Sequence, residues 1–218
     1  MSSDYSPFNP LDTAAIAQSL GREALSRSPV PISDLSPFPG AGVYLIYYAG
    51  DFSAYLPLRE SNRERLTWPI YVGKADISGA RKGDLDGPIG EPLYRRIKQH
   101  RESLVQVTNL DESDFFVRYL VVEPLFIPLG ETLLINRFLP VWNRLIDGFG
   151  NHDPGKGRHS GMRPRWDVLH PGRPWADRLQ PRPETAAAIA QDALEYLRAR
   201  VQQTVLLDLA AEEKEGFE

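Results

Sequence analysis

Two short segments constrain this chain more than any other feature: residues 42–48, Gly-Val-Tyr-Leu-Ile-Tyr-Tyr, and residues 69–74, Pro-Ile-Tyr-Val-Gly-Lys. Each is a β-branched and aromatic run punctuated by glycine or proline, the composition of a buried strand bounded by turns. Gly40, Gly42 and Gly50 bracket the first, Pro69 and Gly73 the second. A buried strand has no packing need for Tyr over Phe, because a buried phenol must find a hydrogen-bond partner. Tyr44 and Tyr71 hold comparable places in the two runs, and Lys74 follows closely. Taken alone, the pair reads as an ordinary hairpin. With two phenols and an ammonium at one strand edge, it also reads as a polar site.

The other elements follow in order. Asn9-Pro10 starts a weakly amphipathic helix with Leu11, Ala15, Ile16, Leu20 and Leu25, ending near Arg27. Residues 28–39 are proline-rich and predict a non-helical connector, so residues 1–39 read as a wrapping arm. Residues 51–67 form a polar insert with Arg59, Arg63 and Arg65, and residues 75–91 a glycine-rich loop carrying Arg81 and Lys82. Loops beyond ~12–15 residues are functional or disordered. A helix is expected over 92–103 with Leu93, Ile97 and Leu104 on one stripe, a strand over 115–122, and a helix over 127–138 stopped by Pro140. The order is strand, strand, helix, strand, helix. A last helix is expected over 184–211.

The bulk properties set bounds. At 218 residues the chain is one medium domain, or a small one with terminal additions. Its 42% hydrophobic and 25% charged residues are ordinary for a globular protein. No apolar run approaches the ~18 residues of a membrane span, and the first residues lack the pattern of a secretory signal. The absence of cysteine excludes disulfides, thiolate metal sites and cysteine nucleophiles, and fits a cytoplasmic location. A net charge of −4 argues against a chain that coats nucleic acid non-specifically. Its distribution is uneven: Lys156, Arg158, Arg163, Arg165, Arg173, Arg178 and Arg182 cluster ahead of an acidic tail. That pattern predicts a locally positive surface.

Several residues carry candidate chemistry. Arg96 and His100, four apart on one helix face, are either part of a basic solvated surface or a guanidinium–imidazole pair suited to phosphodiester cleavage. Glu131 either complements a helix N-terminus or binds a hard divalent cation, for which one carboxylate suffices when phosphate and water complete the shell. Asn143 is a turn residue, or it orients Glu131. Residues 150–159 lack the spacing of a phosphate-binding Gly-Lys-Ser/Thr loop and read better as a turn-rich DNA-contacting loop. Residues 166–175 combine Trp with Arg, which suits phosphates and base edges or a buried Trp beside surface Arg.

Gly42-Val43-Tyr44, Tyr71-Val72-Gly73-Lys74, Arg96, His100, Glu131 and Asn143 together resemble the ordered parts of the GIY-YIG nucleases, over about residues 40–145. Val replaces Ile in both tripeptides. Gly40-Ala41-Gly42-Val43-Tyr44, Val141-Trp142-Asn143, the run from Asp147 to His152 and the run from Trp166 to Arg173 are similar to the GIY-YIG type II restriction endonucleases that cut CCGCGG. The resemblance implies an α/β (α+β) fold: a small three-stranded antiparallel sheet flanked by helices, with N- and C-terminal helical additions. Expected divisions are an arm (1–39), a catalytic core (40–145), a basic DNA-contacting segment (146–183) and a C-terminal helix with its acidic tail (184–218).

The resemblance further implies that Tyr44 acts as general base or water-orienting phenol, with His100 or Lys74 lowering its effective pKa. Tyr71 would bond the phosphate, Arg96 stabilise the transition state, Glu131 hold one Mg²⁺ or Mn²⁺, and Asn143 fix the site's geometry. Candidate DNA contacts are Arg81, Lys82, Lys156, Arg158, Arg163 and Arg165, since guanidinium pairs bidentately with guanine. A palindromic target implies a homodimer, with a cognate DNA methyltransferase in the same system. A repair or homing GIY-YIG nuclease, and a catalytically silent DNA-binding module, are the competing readings.

Overall fold

Strand β2 (Gly42–Tyr48) is buried at every position and separates two hydrophobic cores. Its even residues Tyr44, Ile46 and Tyr48 enter one core, its odd residues Val43, Leu45 and Tyr47 the other. That is the period-2 alternation of a central strand. The computed structural model describes residues 13–77 and 90–215. Around β2 lie β3 (Pro69–Ala75) and β4 (Phe115–Val121), and a two-residue strand β1 (Val30–Pro31) pairs with β4. The sheet is antiparallel throughout, in the order β1-β4-β2-β3.

Helices cover both faces. On the face of Tyr44, α3 (Pro92–Gln106) buries Leu93, Ile97 and Leu104, and α7 (Ala186–Glu215) adds Ile189, Ala193 and Leu197. On the face of Val43, α4 (Ile127–Phe138) buries Ile127, Leu134 and Phe138, with Ala24 of α1 (Thr13–Ser26) beside them. Shorter helices α2 (Leu56–Asn62), α5 (Val141–Arg144) and α6 (Arg165–Leu169) fill the connections. Among the described residues, no helix is long and apolar enough to cross a membrane.

Two local features position the site. β3 pairs Tyr71 with Ile46 and then Pro69 with Tyr47, so Ile70 is passed over in the ladder. This irregularity turns both Ile70 and Tyr71 toward the α3 face, as bulges near functional sites do. Gly42 admits β4 at contact: a Cβ there would lie 2.0 Å from the Leu120 carbonyl oxygen.

The core matches the expected α+β arrangement, with one strand more than the three expected. The added strand comes from the proline-rich stretch, where Pro31 sits at a sheet edge that does not require its missing N–H. The polar insert holds a helix, α2, with a proline in its first turn. Asn62 ties it back, donating to the Tyr48 and Trp68 carbonyls and accepting from the Thr67 and Trp68 amides.

The segment after residue 146 is not a surface loop throughout. Trp166, Asp167, Leu169, His170 and Arg173 are buried, so the Trp-Arg stretch read as suited to phosphates and bases is instead internal. His170 accounts for its own burial by local bonds: Nε2 lies 2.7 Å from the Tyr55 hydroxyl, which also accepts from Trp142 Nε1 at 2.8 Å.

Candidate active site

Tyr44 extends from β2 across β3 to α3. Its hydroxyl lies 2.6 Å from His100 Nε2, and both side chains are almost wholly inaccessible, at 0% and 1% exposure. The path exists because Gly73 stands opposite Tyr44 in the ladder. A Cβ at Gly73 would come within 2.3 Å of the phenol oxygen. Burial raises the Tyr44 pKa well above its ordinary value, and nearby Tyr71 adds to the rise. Burial likewise holds His100 well below the usual histidine range, helped by the Arg96 charge. The pair is therefore neutral at neutral pH. A lowered Tyr44 pKa was expected; desolvation drives it the other way in this arrangement.

His100 is clamped from its other side by Phe149, whose ring stacks on it at 4.5 Å and 20°. Tyr71 packs edgewise on Phe149, with centroids 5.2 Å apart, and sits 6.2 Å from the Tyr44 ring.

Arg96, one turn before His100 on α3, is fixed by the chain that follows α5. Its Nη2 donates to the Gly150 carbonyl at 3.1 Å, while Nη1 reaches Gln99 Oε1 at 3.2 Å and His152 Nε2 at 3.1 Å. The guanidinium opposes burial at both phenols, lowering their pKa values by its charge and by hydrogen bonding. His152 was not singled out in the sequence as a site residue. The signal available was its place two residues after a glycine in a segment otherwise read as DNA-contacting.

Glu131 approaches from the opposite face of the sheet. Lys74 Nζ lies 3.6 Å from its Oε2 and 3.7 Å from Asp76 Oδ2, and all three side chains are about a quarter exposed. Burial raises the Glu131 pKa, against the lowering charges of Lys74 and Arg96. Glu131 in turn raises Tyr44 and Tyr71, so the carboxylate, the guanidinium and the phenols share one electrostatic environment. Lys74 thus pairs with carboxylates, and the bond to Tyr44 belongs to His100. Among the described residues there is no group of three or more His, Asp or Glu placed to hold a metal. The donor set fits a hard divalent cation that takes one protein carboxylate and completes its shell with phosphate and water.

Asn143, on α5, does not reach toward Glu131. Its Oδ1 accepts from the Val72 amide and its Nδ2 donates to the Val72 carbonyl, both at 2.8 Å. The residue between Tyr71 and Gly73 is thereby gripped on both backbone groups.

The DNA-contact candidates divide. Arg81 and Lys82 lie outside the described residues. Lys156 and Arg158 form a 3₁₀ turn, and Arg158 is exposed on the rim of an open groove with His152 and Trp175. Arg163 and Arg165 are engaged internally instead. Arg163 bonds the Ala176 carbonyl at 3.0 Å and Asp177 at 3.3 Å. Arg165 bonds the Leu145 carbonyl at 2.9 Å and pairs with Glu184 and Asp192. These bonds explain the residues' positions without DNA.

Hydrolysing a phosphodiester requires a route for a proton leaving water and a fixed positive charge for the crowded phosphorus. The α3 face offers both, on the hairpin and helix of a GIY-YIG nuclease module. A family model for the Eco29kI GIY-YIG domain, a restriction endonuclease family, matches residues 36–197, and the chain belongs to that family. Its activity class is accordingly DNA endonuclease, and GIY-YIG nucleases use divalent metals. No match was found among curated proteins.

Proposed function

We propose that the chain is a homodimeric type II restriction endonuclease. It cuts a GC-rich palindrome, with CCGCGG the candidate, and uses one Mg²⁺ or Mn²⁺ per active site. The observation that carries the mechanism is the sealed 2.6 Å contact between Tyr44 and His100, beside Arg96. Burial keeps His100 deprotonated and so able to accept a proton, and keeps Tyr44 protonated until it can pass one on. As water attacks phosphorus, its proton moves to the Tyr44 oxygen and the Tyr44 proton moves to His100 Nε2. The bond from phosphorus to the departing sugar oxygen breaks with its electron pair on that oxygen, which takes a proton from solvent, and His100 later returns its proton to solvent. The positive charge formed on His100 is then offset by the added negative charge at phosphorus, so the pair ionises only when substrate is present.

Arg96 neutralises the equatorial oxygens, and Tyr71 donates to one of them. Tyr44 is fully enclosed in the free enzyme, so the site must open around it for water to reach its oxygen. Such catalytic contacts commonly tighten only with substrate. Glu131 would hold the metal, which when bound supplies Lewis-acid stabilisation of charge on oxygen. Lys74 opposes the rise that burial imposes on the Glu131 carboxyl.

Arg158, Lys156, Arg81 and Lys82 are the proposed DNA contacts, and Arg163 and Arg165 support the segment that carries the first two. A two-fold target calls for two copies of the site, and a partner methyltransferase would protect the host's own sites. The test is digestion of a sequenced plasmid panel with mapping of the ends. Discrete fragments ending at one palindrome support the reading. Nicks that follow branched structure rather than sequence, or intact supercoiled DNA with Mg²⁺ present, refute it.

A further inference from the structure

Arg173 is bonded to neither phenol in the arrangement above, yet its bonds lead to the loop that touches their neighbours Arg96 and His100. Its side chain is 1% exposed, and each of its five N–H donors is used. Nε and Nη2 hold Asp167 at 2.7 and 2.6 Å. The other three reach the carbonyls of Gly148 at 2.8 Å, Phe149 at 3.1 Å and Asn151 at 3.1 Å. The ring of Trp166 lies 4.4 Å from the guanidinium and that of Trp175 4.7 Å. The Gly150 carbonyl is left out of this set, and it accepts from Arg96. Two arginines therefore grip consecutive carbonyls of one four-residue loop. The same loop presses Phe149 onto His100 and leads into His152, which meets Arg96.

We propose that the Arg173–Asp167 fork is a positioning device for catalysis. It sets Arg96 and His100 through the bridge of residues 148–152, from a part of the chain beyond the strand–helix core. The proposal rests on the reading of Arg96 and His100 as catalytic. A fork is suited to this task because a planar guanidinium fixes direction as well as distance. Lysine, a single ammonium on a flexible stem, cannot span a carboxylate and three carbonyls. Gly150 shows how little slack the bridge has: a Cβ there would stand 2.8 Å from Arg96 Nη2 and 3.4 Å from His100 Cε1.

The test compares Arg173→Lys and Asp167→Asn, each made in the wild type and in Arg96→Lys, with cooperative melts confirming folding. In single-turnover cleavage of the mapped duplex, each variant should lose about 30- to 100-fold in rate, the scale of a 1 Å misplacement. Its metal-free duplex affinity should stay within about threefold of wild type. In the Arg96→Lys background the further loss should be clearly smaller than in wild type, because only the His100 arm of the bridge is left to misplace.

An NMR titration of the His100 imidazole without DNA gives a second readout. Its pKa should rise from the depressed wild-type value toward the ordinary range as Phe149 loosens. Equal losses in both backgrounds with an unmoved His100 titration overturn the proposal, and so does failure of both variants to fold. A wild type that cuts no duplex refutes the proposed function instead, and the His100 titration then decides the bridge by itself.

Discussion

Replacing Gly73 by alanine tests the tightest contact in the site. The new Cβ would lie 2.3 Å from the Tyr44 oxygen and 2.5 Å from Cζ, with Tyr71 Cε1 at 2.9 Å. Ordinary van der Waals contact begins near 3.4 Å, so the phenol must retreat by about 1 Å in a site packed to native density. Starting from 2.6 Å, that movement ends the bond to His100, because contacts near ~3.6 Å are no longer hydrogen bonds. Overpacking costs about 1–3 kcal/mol, and a buried imidazole left without its partner about 1–3 kcal/mol. The expected loss of stability is about 2–6 kcal/mol. A 1 Å misplacement of a proton-transfer group costs roughly a hundredfold in rate, or about 2.7 kcal/mol of barrier. Urea melts and single-turnover cleavage read the two effects. Tyr44→Phe removes the oxygen that clashes most closely, so Gly73→Ala should destabilise that background less than wild type. Wild-type stability and rate in Gly73→Ala, or additive losses in the double variant, would refute the packing of the phenol over this glycine.

Other outcomes follow from the same geometry. Glu131→Gln should abolish metal-dependent cleavage while duplex affinity measured in EDTA stays within a few-fold, and a cleaving variant would remove Glu131 from the metal site. Stability should also fall with acid. His100 and His170 are depressed by burial, His170 to about 3, so below the unfolded value near ~6.5 the unfolded chain binds protons that the folded chain does not. Each histidine then removes about 1.4 kcal/mol per pH unit as pH falls below ~6.5 toward its folded pKa. Urea melts between pH 6.5 and 5 should show this slope, and replacing His170 by Gln should reduce it. A flat profile would show that the two imidazoles are not sealed.

The strand–strand–helix–strand–helix order was legible because periodicity and turn residues agreed. Helical spacing alone put Arg96 and His100 on one face, while the meeting of Tyr44 and Tyr71 with them was implied only by the resemblance to the GIY-YIG nucleases. What the sequence could not show depended on distant contacts. The burial of Arg173 required knowing that Asp167 and three loop carbonyls would meet it. Exposed and buried arginines look alike in composition, and for the same reason Arg163 and Arg165 read as DNA contacts. The two-residue β1 lay hidden among prolines because its pairing is set by β4, not by local preference.

The position of β3 at the sheet edge gives the site its form and exposes it to a hazard. Arg96 comes from the helix on one face and Glu131 from the helix on the other, so the two can share a phosphate only around an uncovered edge. An uncovered edge presents backbone N–H and C=O groups that invite a foreign strand. Asn143 occupies them at Val72, its amide bonding both groups as a neighbouring peptide would. Asn143→Asp should therefore damage the chain although it preserves shape: the carboxylate can still accept from the Val72 amide but has no donor for the Val72 carbonyl. The expected cost is about 1–3 kcal/mol, with a hundredfold or smaller loss of cleavage as Tyr71 and Gly73 shift. Light scattering should show self-association setting in at lower temperature. Asn143→Ala, which frees both groups, should associate at least as readily. If the Asp variant melts, cleaves and scatters like wild type, then Asn143 neither holds the edge nor guards it.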